Sequence, residues 1–487
     1  MPRTRIYNFH HARLSIAQSA IRENVVKLSP GVREFGLGAN NPVMQAAGAV
    51  LDRVYHGEVR TAPTALAAFQ LRRQVQMAEG ARVAAPAGIP ENCLDLLTRY
   101  VIAWVFDDQA EMTKIANEWE FSPCNVSGGL KILQEWLAYY WRGAPPQYNP
   151  PTADGPGAFA LPSPASPGAP LRVGVLGDWG TGEQEARAVI DQLMKQAPDL
   201  IIHVGDVYYS GTEVEQNAVL AMLRGARTEY GRDIPFYTLP GNHDYYSGGV
   251  GFYQVLPLLN QDVPNACVQQ HSFWCLRNDA WQLQGMDTGY YDSDLLHIDQ
   301  DITHLRDDEA AWHQRMLVDA GGRRVILFSH HQLFSAFEMI GGMWANPYLE
   351  KNLADWEAAA DVRPAAWLWG HEHVLGIYQV PGSLPVLGRC VGNGAIPVFT
   401  DTKAYTPQPG GAPLEPAQQS PDGKIHFPNG FVQTQPEDLV WSSGFALLEL
   451  AGDGTGTASY WQVRFEGVVS TASSQLLWQE PMPAVAG

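Results

Sequence analysis

The chain has 487 residues, 45% of them hydrophobic, which is enough to bury a large core and to form two or three domains. Its 32 Lys and Arg residues against 51 Asp and Glu give a net charge of -19, which argues against a broad surface for nucleic acid or anionic membrane. A small anionic substrate is compatible with this charge, because bound metal ions can hold a phosphate inside an acidic protein.

The first twenty residues contain arginines but no continuous apolar region, so we predict no signal peptide. No apolar run is long enough to span a membrane, and a cytoplasmic location is expected. The five cysteines are scattered and odd in number, which favours free thiols in a reducing compartment. A bridge between Cys267 and Cys275 is the alternative that their spacing leaves open. The oligomeric state cannot be read from the sequence.

Composition divides the chain into three parts. Residues 1–142 are predicted to form a mainly helical domain of unknown role, because apolar residues recur there at helical spacing. Residues 143–170 are rich in Pro, Gly, Ala and Ser and are predicted to be a linker. Residues 171–487 are predicted to be the catalytic domain, with a long Pro- and Gln-rich insertion at about 400–441.

Five apolar runs end in polar clusters, and this pattern is the strongest signal in the sequence. The runs are predicted to be buried strands, and they cover residues 171–176, 200–204, 234–239, 325–328 and 365–369. The clusters that follow read GDWG at 177–180, GDVYY at 205–209, GNHD at 241–244, SHH at 329–331 and GHEH at 370–373. In an open α/β sheet the ligand binds beyond the carboxyl ends of the strands. We therefore expect the five clusters to meet at one site.

The remaining pattern predicts the fold class. Residues 171–204 read as a β-α-β unit with parallel strands, and residues 271–287 read as a hairpin. Strands at 374–391 and 445–463 are expected to form a second, antiparallel set. The predicted class is α/β, an α+β sandwich of two mixed β-sheets packed face to face with flanking helices, preceded by the mainly helical N-terminal domain.

The donor groups of the clusters indicate the chemistry. They are carboxylates, phenols, an amide and imidazoles without a thiolate, a set that suits two hard or borderline ions such as iron, manganese or zinc. Two ions need a bridging ligand, and a carboxylate supplies it best. A pair about 3.5–4 Å apart would bind both the attacking and the leaving oxygens of an in-line phosphoryl displacement.

Taken together and in this order, the five clusters resemble those of the calcineurin-like metallophosphoesterases, most closely the purple acid phosphatases. The resemblance covers about residues 171–398, and it rests on the joint pattern, since any one cluster alone is a weak signal. It implies a metal-bound hydroxide as the nucleophile in an in-line attack on phosphorus, without a covalent enzyme intermediate.

The resemblance also implies a role for each matching residue. The first metal would be bound by Asp178, Tyr209 and His373, the second by Asn242, His330 and His371, and Asp206 would bridge the two. The implied catalytic residues are Asp206, Asn242 and His243. His243 would lie outside both metal spheres and would donate to the phosphate or protonate the leaving oxygen.

One tyrosine places the chain near the purple phosphatases. Gly180 stands where most relatives have a metal-binding histidine, and Tyr209, three residues after Asp206, fills that role in the purple phosphatases. A phenolate favours Fe(III), so the resemblance implies iron in the Tyr209 site with Fe, Zn or Mn in the second site. The expected reducing compartment leaves Fe(II), Mn or Zn open as well. The neighbouring Tyr208 is predicted to be a packing residue.

The chain departs from the family pattern beyond His330. Phe337, Glu338 and Met339 follow there, where several purple phosphatases carry another histidine outside the metal spheres. His331 is the nearest substitute for a contact with substrate, and packing is the other reading of this residue. Three loop carboxylates are predicted to orient neighbouring groups rather than to bind metal: Asp244, Asp287 and Glu372.

Three hypotheses follow for the function. The first is a dinuclear-metal-dependent phosphomonoesterase similar to acid phosphatases, acting on a small phosphorylated substrate. The second is a phosphodiesterase that acts on nucleotides or lipid head groups, because the core motifs determine the reaction better than the ester class. The third is a metal-bound scaffold without catalysis. The intact ligand set and His243 count against the third hypothesis.

Overall fold

The computed structural model describes the following residues: 15, 19, 96, 99, 100, 103, 108–120, 145–150, 158–162, 164, 168–292, 302–335, 340–378, 387–396, 425–426, 431–433, 442–465 and 469–482. Most of the predicted N-terminal domain, linker and insertion therefore lies outside the described residues. So do Cys93 and Cys124, whereas Cys267, Cys275 and Cys390 are free thiols, as the sequence predicted.

The described strands are Phe159–Ala160 (β1), Leu171–Leu176 (β2), Leu200–His203 (β3), Phe236–Thr238 (β4), Trp274–Arg277 (β5), Trp281–Gly285 (β6), Arg324–Phe328 (β7), Ala366–Trp369 (β8), Leu375–Ile377 (β9), Leu387–Val391 (β10), Ile425–His426 (β11), Phe431–Gln433 (β12), Gly444–Leu450 (β13), Gly456–Arg464 (β14) and Ser473–Met482 (β15). The described α-helices are Gln109–Glu120 (α1), Gln184–Lys195 (α2), Glu213–Tyr230 (α3), Asn242–Tyr245 (α4), Val250–Val255 (α5), Asp307–Val318 (α6) and Pro347–Ala360 (α7).

The strands form two mixed sheets. The nine-stranded sheet has the order β1-β5-β6-β7-β8-β10-β9-β12-β11, and β6, β7, β8 and β10 are parallel neighbours in it. The six-stranded sheet has the order β15-β14-β13-β2-β3-β4, and β2, β3 and β4 are parallel. The predicted parallel pair and the predicted hairpin of β5 and β6 are both confirmed.

One apolar core lies between the two sheets. Val173 and Val175 of β2 belong to the same buried cluster as Ile326 and Phe328 of β7. The residues between them in sequence point the other way, so that the outer faces of the sheets are also buried, under α2 and α3 on one side and under α6 and α7 on the other. Parallel strands covered on both faces read as continuous apolar runs, which is why these strands were predictable. The α/β sandwich with flanking helices is thus confirmed.

The strands after the polar clusters are arranged differently from the prediction. Residues 374–391 and 445–463 were expected to share one antiparallel set, but β9 and β10 join the nine-stranded sheet, whereas β13 and β14 join the six-stranded sheet. β13 pairs antiparallel with β2 and so covers the edge of that strand. The sequence also gave no sign of β15 or of β1, which lies inside the predicted linker and pairs with β5.

The described residues of the N-terminal region include one contact with the rest of the chain. Helix α1 lies in this region, and the described residues at 15, 19, 96, 99, 100 and 103 are helical, whereas the predicted N-terminal domain as a whole lies outside the described residues. Ser19 donates a hydrogen bond to Glu215 of α3 at 2.8 Å, and its side chain is fully buried. Within the described part of the chain, none of the helices has the length and apolar composition that a membrane span needs.

A buried ion pair joins the two sheets. Arg389 of β10 donates from Nε and Nη2 to the two carboxylate oxygens of Glu480 on β15, both at 2.7 Å. Tyr460 of β14 donates to the same carboxylate at 2.8 Å. The bidentate hydrogen bonding offsets the free-energy cost of removing the two charges from water. The pair keeps the register between the sheets.

We expect Arg389→Ala to lower the free energy of unfolding by about 3–5 kcal/mol, because it leaves the carboxylate of Glu480 buried without a cation. Urea unfolding of the two proteins measures the loss. The control is Lys351→Ala, which removes an exposed i,i+4 pair with Asp355 and should change the stability little. Equal stability of the two variants would contradict the structural role of the buried pair.

Candidate metal centre

The polar clusters lie where parallel strands of both sheets end. Asp178 follows β2, Asp206 follows β3, and Asn242 begins the short helix α4 after β4. From the other sheet, His330 follows β7, and His371 and His373 follow β8. The carboxyl ends of the strands of both sheets meet here, as the sequence predicted from the convergence of strand ends.

The backbone at these strand ends is unusual. Asp178, Asp206, His371 and His373 have φ angles of 55°, 73°, 69° and 55°, in the left-handed region that side chains other than those of Gly, Asn and Asp rarely adopt. A Cβ atom on Gly241 would lie 2.0 Å from Oδ1 of Asp206, so this glycine lets the two loops approach closely. Strained backbone in these turns holds four predicted ligands toward one point.

The first group of donors contains Asp178, Asp206 and His373, whose potential ligand atoms lie within 4.8 Å of one another. Nε2 of His373 is 3.2 Å from Oδ1 of Asp178. The hydroxyl of Tyr208 lies between all three side chains, at 2.7 Å from Asp178, 2.8 Å from Asp206 and 3.1 Å from His373. All four residues are buried.

The second group contains Asn242, His330 and His371. Nε2 of His330 is 3.0 Å from Oδ1 of Asn242 and 3.3 Å from Nδ1 of His371. The other ring nitrogen of His330 donates to the carbonyl of Val204 at 2.9 Å, which leaves Nε2 unprotonated in the neutral ring and directed toward the group.

Asp206 contacts both groups through one oxygen atom. Its Oδ2 accepts from Tyr208 at 2.8 Å and lies 3.4 Å from Nε2 of His330. Its Oδ1 accepts from the backbone N–H of His243 at 3.0 Å. Oδ2 of Asp206 therefore lies beside donors of both groups.

The electrostatics of the site favour a bound cation. Burial, followed by the negative charges of Asp178 and Asp244, raises the pKa of Asp206 well above its usual range. Burial also lowers the pKa of His330 to about 3 and raises that of Asp244 to about 7. Buried carboxylates so close together are stabilised in the charged form by positive charge between them.

The donor set fits metal ions in composition and in spacing. Its oxygen and nitrogen atoms lack a thiolate, as hard and borderline ions prefer. Neighbouring ligands of one ion, each at about 2.0–2.2 Å from it, lie roughly 2.8–3.1 Å apart when they subtend a right angle. The contacts around Asp178, Asp206 and His373 fall close to this spacing, at 2.7–3.2 Å.

Tyr208 and Tyr209 occupy different surroundings. The sequence predicted that Tyr208 packs and that Tyr209 binds metal, yet the hydroxyl of Tyr208 makes the contacts with Asp178 and Asp206. The backbone of Tyr209 donates to Glu215 at 2.5 Å, and its carbonyl lies 2.6 Å from Nδ1 of His243. The contacts of the Tyr208 hydroxyl are therefore ones that the motif spacing did not predict.

His243 lies between two tyrosine rings beside the first group. Its Nδ1 donates to the carbonyl of Tyr209, which holds the ring in one orientation. Its Nε2 is 3.9 Å from Oδ2 of Asp206, and its ring centroid lies 4.6 Å from that of Tyr208 and 4.8 Å from that of Tyr246. Nε2 is therefore the nitrogen that faces the carboxylate.

Several buried carboxylates hold the loops that carry these residues. Asp244 accepts from the backbone N–H groups of Asp206 at 3.0 Å and Gly241 at 2.8 Å. Glu372 accepts from the hydroxyl of Ser335 and, at 3.3 Å, from Nε1 of Trp369. In the same way Asp287 accepts from the hydroxyl of Tyr245 at 2.6 Å. The sequence predicted such orienting contacts for all three acids.

Glu215 is a supporting residue that the sequence analysis missed. Its carboxylate accepts from the backbone N–H groups of Tyr209, Ser210 and Thr212, the last at 3.1 Å, and so holds the loop after Asp206. The same side chain completes a capping box with Thr212 at the start of α3. The Thr-x-x-Glu spacing of this box was the signal that could have identified it.

Comparison with known proteins finds similarity over part of the chain. Residues 171–375 match the family model described as calcineurin-like phosphoesterase, and no curated protein sequence matches the chain. Similar solved structures include a dimetal phosphatase from Danio rerio, with 11% identity, a TM-score of 0.37 and coverage of 63% of this chain and 100% of that one. Another is PhoD, with 11% identity, a TM-score of 0.41 and coverage of 65% and 70%. The chain has the α/β fold of the metallophosphoesterases, and its similarity to the calcineurin-like phosphoesterases covers residues 171–375.

Proposed function

We propose that this chain is a dinuclear-metal-dependent phosphoric ester hydrolase, and within that class a phosphomonoesterase similar to the purple acid phosphatases. The observation that carries the proposal is the position of Asp206, a member of the first group of donors, whose Oδ2 also lies 3.4 Å from Nε2 of His330 in the second group. A carboxylate shared in this way is the feature that a two-metal phosphoryl-transfer site needs.

The proposed ligands are those that converge at the strand ends. Asp178 and His373 would hold the first ion, Asn242, His330 and His371 the second, and Asp206 both. A phenol oxygen completes the first set. The motif spacing favours Tyr209, and the contacts favour Tyr208. Iron is proposed for this first site and Fe, Zn or Mn for the second, because a phenolate is a hard donor.

Two ions, when bound, supply Lewis-acid activation of water and of the phosphoryl group. The protein supplies the rest. Asn242 positions its amide oxygen beside His330, while its amide nitrogen donates to the hydroxyl of Tyr246 at 2.6 Å. His243 is oriented by the carbonyl of Tyr209, which accepts from Nδ1, and in its imidazolium form it also carries a proton at Nε2 that it would donate to the leaving oxygen of the ester.

The first experiment compares an aryl phosphate monoester with the matching diester, using purified protein supplied separately with iron, manganese or zinc. We expect the monoester to have the higher kcat/KM. A higher kcat/KM for the diester would favour a phosphodiesterase that acts on nucleotides or lipid head groups. Hydrolysis of neither ester with any of the metals would contradict the hydrolase function and leave a metal-bound scaffold.

Two variants separate metal binding from catalysis. His243→Ala should keep both ions and slow turnover roughly 10²–10⁴-fold, because only the proton donor is lost. Asp206→Asn should lose activity together with affinity for both ions, because the shared negative charge is removed. Metal content and kcat of the two proteins provide the test. Full metal content and normal turnover in Asp206→Asn would refute its bridging role.

The phenolic ligand is tested with Tyr208→Phe and Tyr209→Phe. A phenolate bound to Fe(III) absorbs visible light, so the absorption spectrum of the iron-loaded protein reports its presence. The contacts of Tyr208 with Asp178 and Asp206 predict that only Tyr208→Phe removes the absorption. Loss of the absorption in Tyr209→Phe alone would instead establish the residue that the motif spacing predicts.

A further inference from the structure

His331 lies against both histidines of the second donor group. Its ring centroid is 4.4 Å from that of His371 and 4.9 Å from that of His330. The nitrogens of the three rings include one set within 4.8 Å of one another, so spacing alone would allow His331 to be a metal ligand. Only 4% of the residue is exposed. The hydrogen bonds of its ring decide between a ligand and a supporting residue.

Both ring nitrogens of His331 face partners away from the donor group. Its backbone N–H donates to Oγ1 of Thr288 at 2.9 Å, and the same hydroxyl lies 3.1 Å from Nδ1. Since the hydroxyl accepts from the backbone, its own hydrogen can donate to Nδ1. This leaves Nε2 as the protonated nitrogen, which donates to Oδ2 of Asp292 at 3.1 Å. Neither nitrogen then has a lone pair directed at a metal.

The two partners of His331 come from the loop after β6, and this loop is itself held in place. Asp287 accepts from the backbone N–H groups of Gly289 and Tyr290 at 3.1 and 3.2 Å. Its own backbone N–H donates to the buried Glu309 of α6 at 2.7 Å. Thr288 and Asp292 are therefore attached to fixed parts of the fold.

We propose that Thr288, His331 and Asp292 form a network that positions His371 for the second metal ion. The backbone N–H of His371 is already held by Asp178 at 2.7 Å. The ring of His331, packed at 42° to the ring of His371, limits the rotation of the His371 side chain. The three residues constitute the His331 network, and they act through His371 rather than on the substrate. The inference rests on the metal centre of the proposed function.

The test measures metal binding directly. Metal-depleted protein is titrated with Mn²⁺ in a calorimeter, and the two binding events are compared. Thr288→Val and Asp292→Ala should each weaken one of the two ions about 10–100-fold, the usual effect of removing a residue that orients a metal-binding histidine, and leave the other ion unchanged. Thr288→Ser keeps the hydroxyl and Asp292→Asn keeps an oxygen acceptor, so both should retain the affinity of the wild type.

Asp308→Ala is the matched acidic control. Its side chain contacts Tyr148 at 3.4 Å and Arg306 at 3.3 Å, and the variant should bind both ions as the wild type does. Loss of both ions in Thr288→Val and Asp292→Ala, or unchanged affinity in both, would overturn the network. So would a wild type that binds a single ion. His331→Ala should weaken the binding of the same ion by about as much as Thr288→Val and Asp292→Ala do. Complete loss of one ion only in His331→Ala would make His331 a ligand.

The same titration separates this inference from the proposed function, because it needs no substrate. Selective loss of one ion in a protein that hydrolyses neither the monoester nor the diester would support the network and contradict the hydrolase. Hydrolysis by the wild type, with unchanged metal affinity in Thr288→Val and Asp292→Ala, would support the hydrolase and contradict the network.

Discussion

The site depends on keeping the carboxylate of Asp206 charged in a fully buried position. Burial and the nearby carboxylates raise its pKa, so the fold must supply compensating donors and a place for a cation. The hydroxyl of Tyr208 and the backbone N–H of His243 donate to its two oxygens. Its own backbone N–H is held by Asp244. These contacts come from two turns, one that carries Asp206 and Tyr208 and one that carries His243 and Asp244. Asp206 itself has a left-handed backbone conformation, which the surrounding packing must maintain.

The donors come from two sheets. The distances between donor atoms of different sheets therefore depend on how the two sheets pack against each other. Asp178, Asp206 and Asn242 follow strands of the six-stranded sheet, whereas the three histidines follow strands of the nine-stranded sheet. The apolar core between Val173 and Ile326 sets the distance between the sheets, and the pair of Arg389 and Glu480 fixes their register. The hydrogen bond from the backbone of His371 to Asp178 joins the two sets at the site itself. The contacts that stabilise the sandwich therefore also determine the geometry of the metal centre.

The sequence revealed the parts of the site that follow from strand ends. Buried parallel strands read as apolar runs, and a polar residue directly after such a run has few structural uses, so the donors could be located without any structure. The direction of a side chain within a loop is different, because it depends on tertiary contacts. Spacing therefore pointed to Tyr209 and gave no sign that the hydroxyl of Tyr208 would contact Asp178. The partners of His331 lie some forty residues away in sequence, and β15 alternates too weakly to be recognised.

Residues at the strand ends and residues in the loops have different chemical roles. The donors at the strand ends determine which reaction the site can support, and their positions are fixed by the cores on both faces of each sheet. The groups that meet the organic part of an ester must come from the loops beyond them, which vary more easily without loss of the fold. The loop after β6 holds His331 through Asp292, and Tyr290 and Tyr291 precede Asp292 in the same loop with their rings in contact. A change in this loop would therefore reach the histidines after β7 and β8 through the ring of His331, although the loop itself follows a different strand.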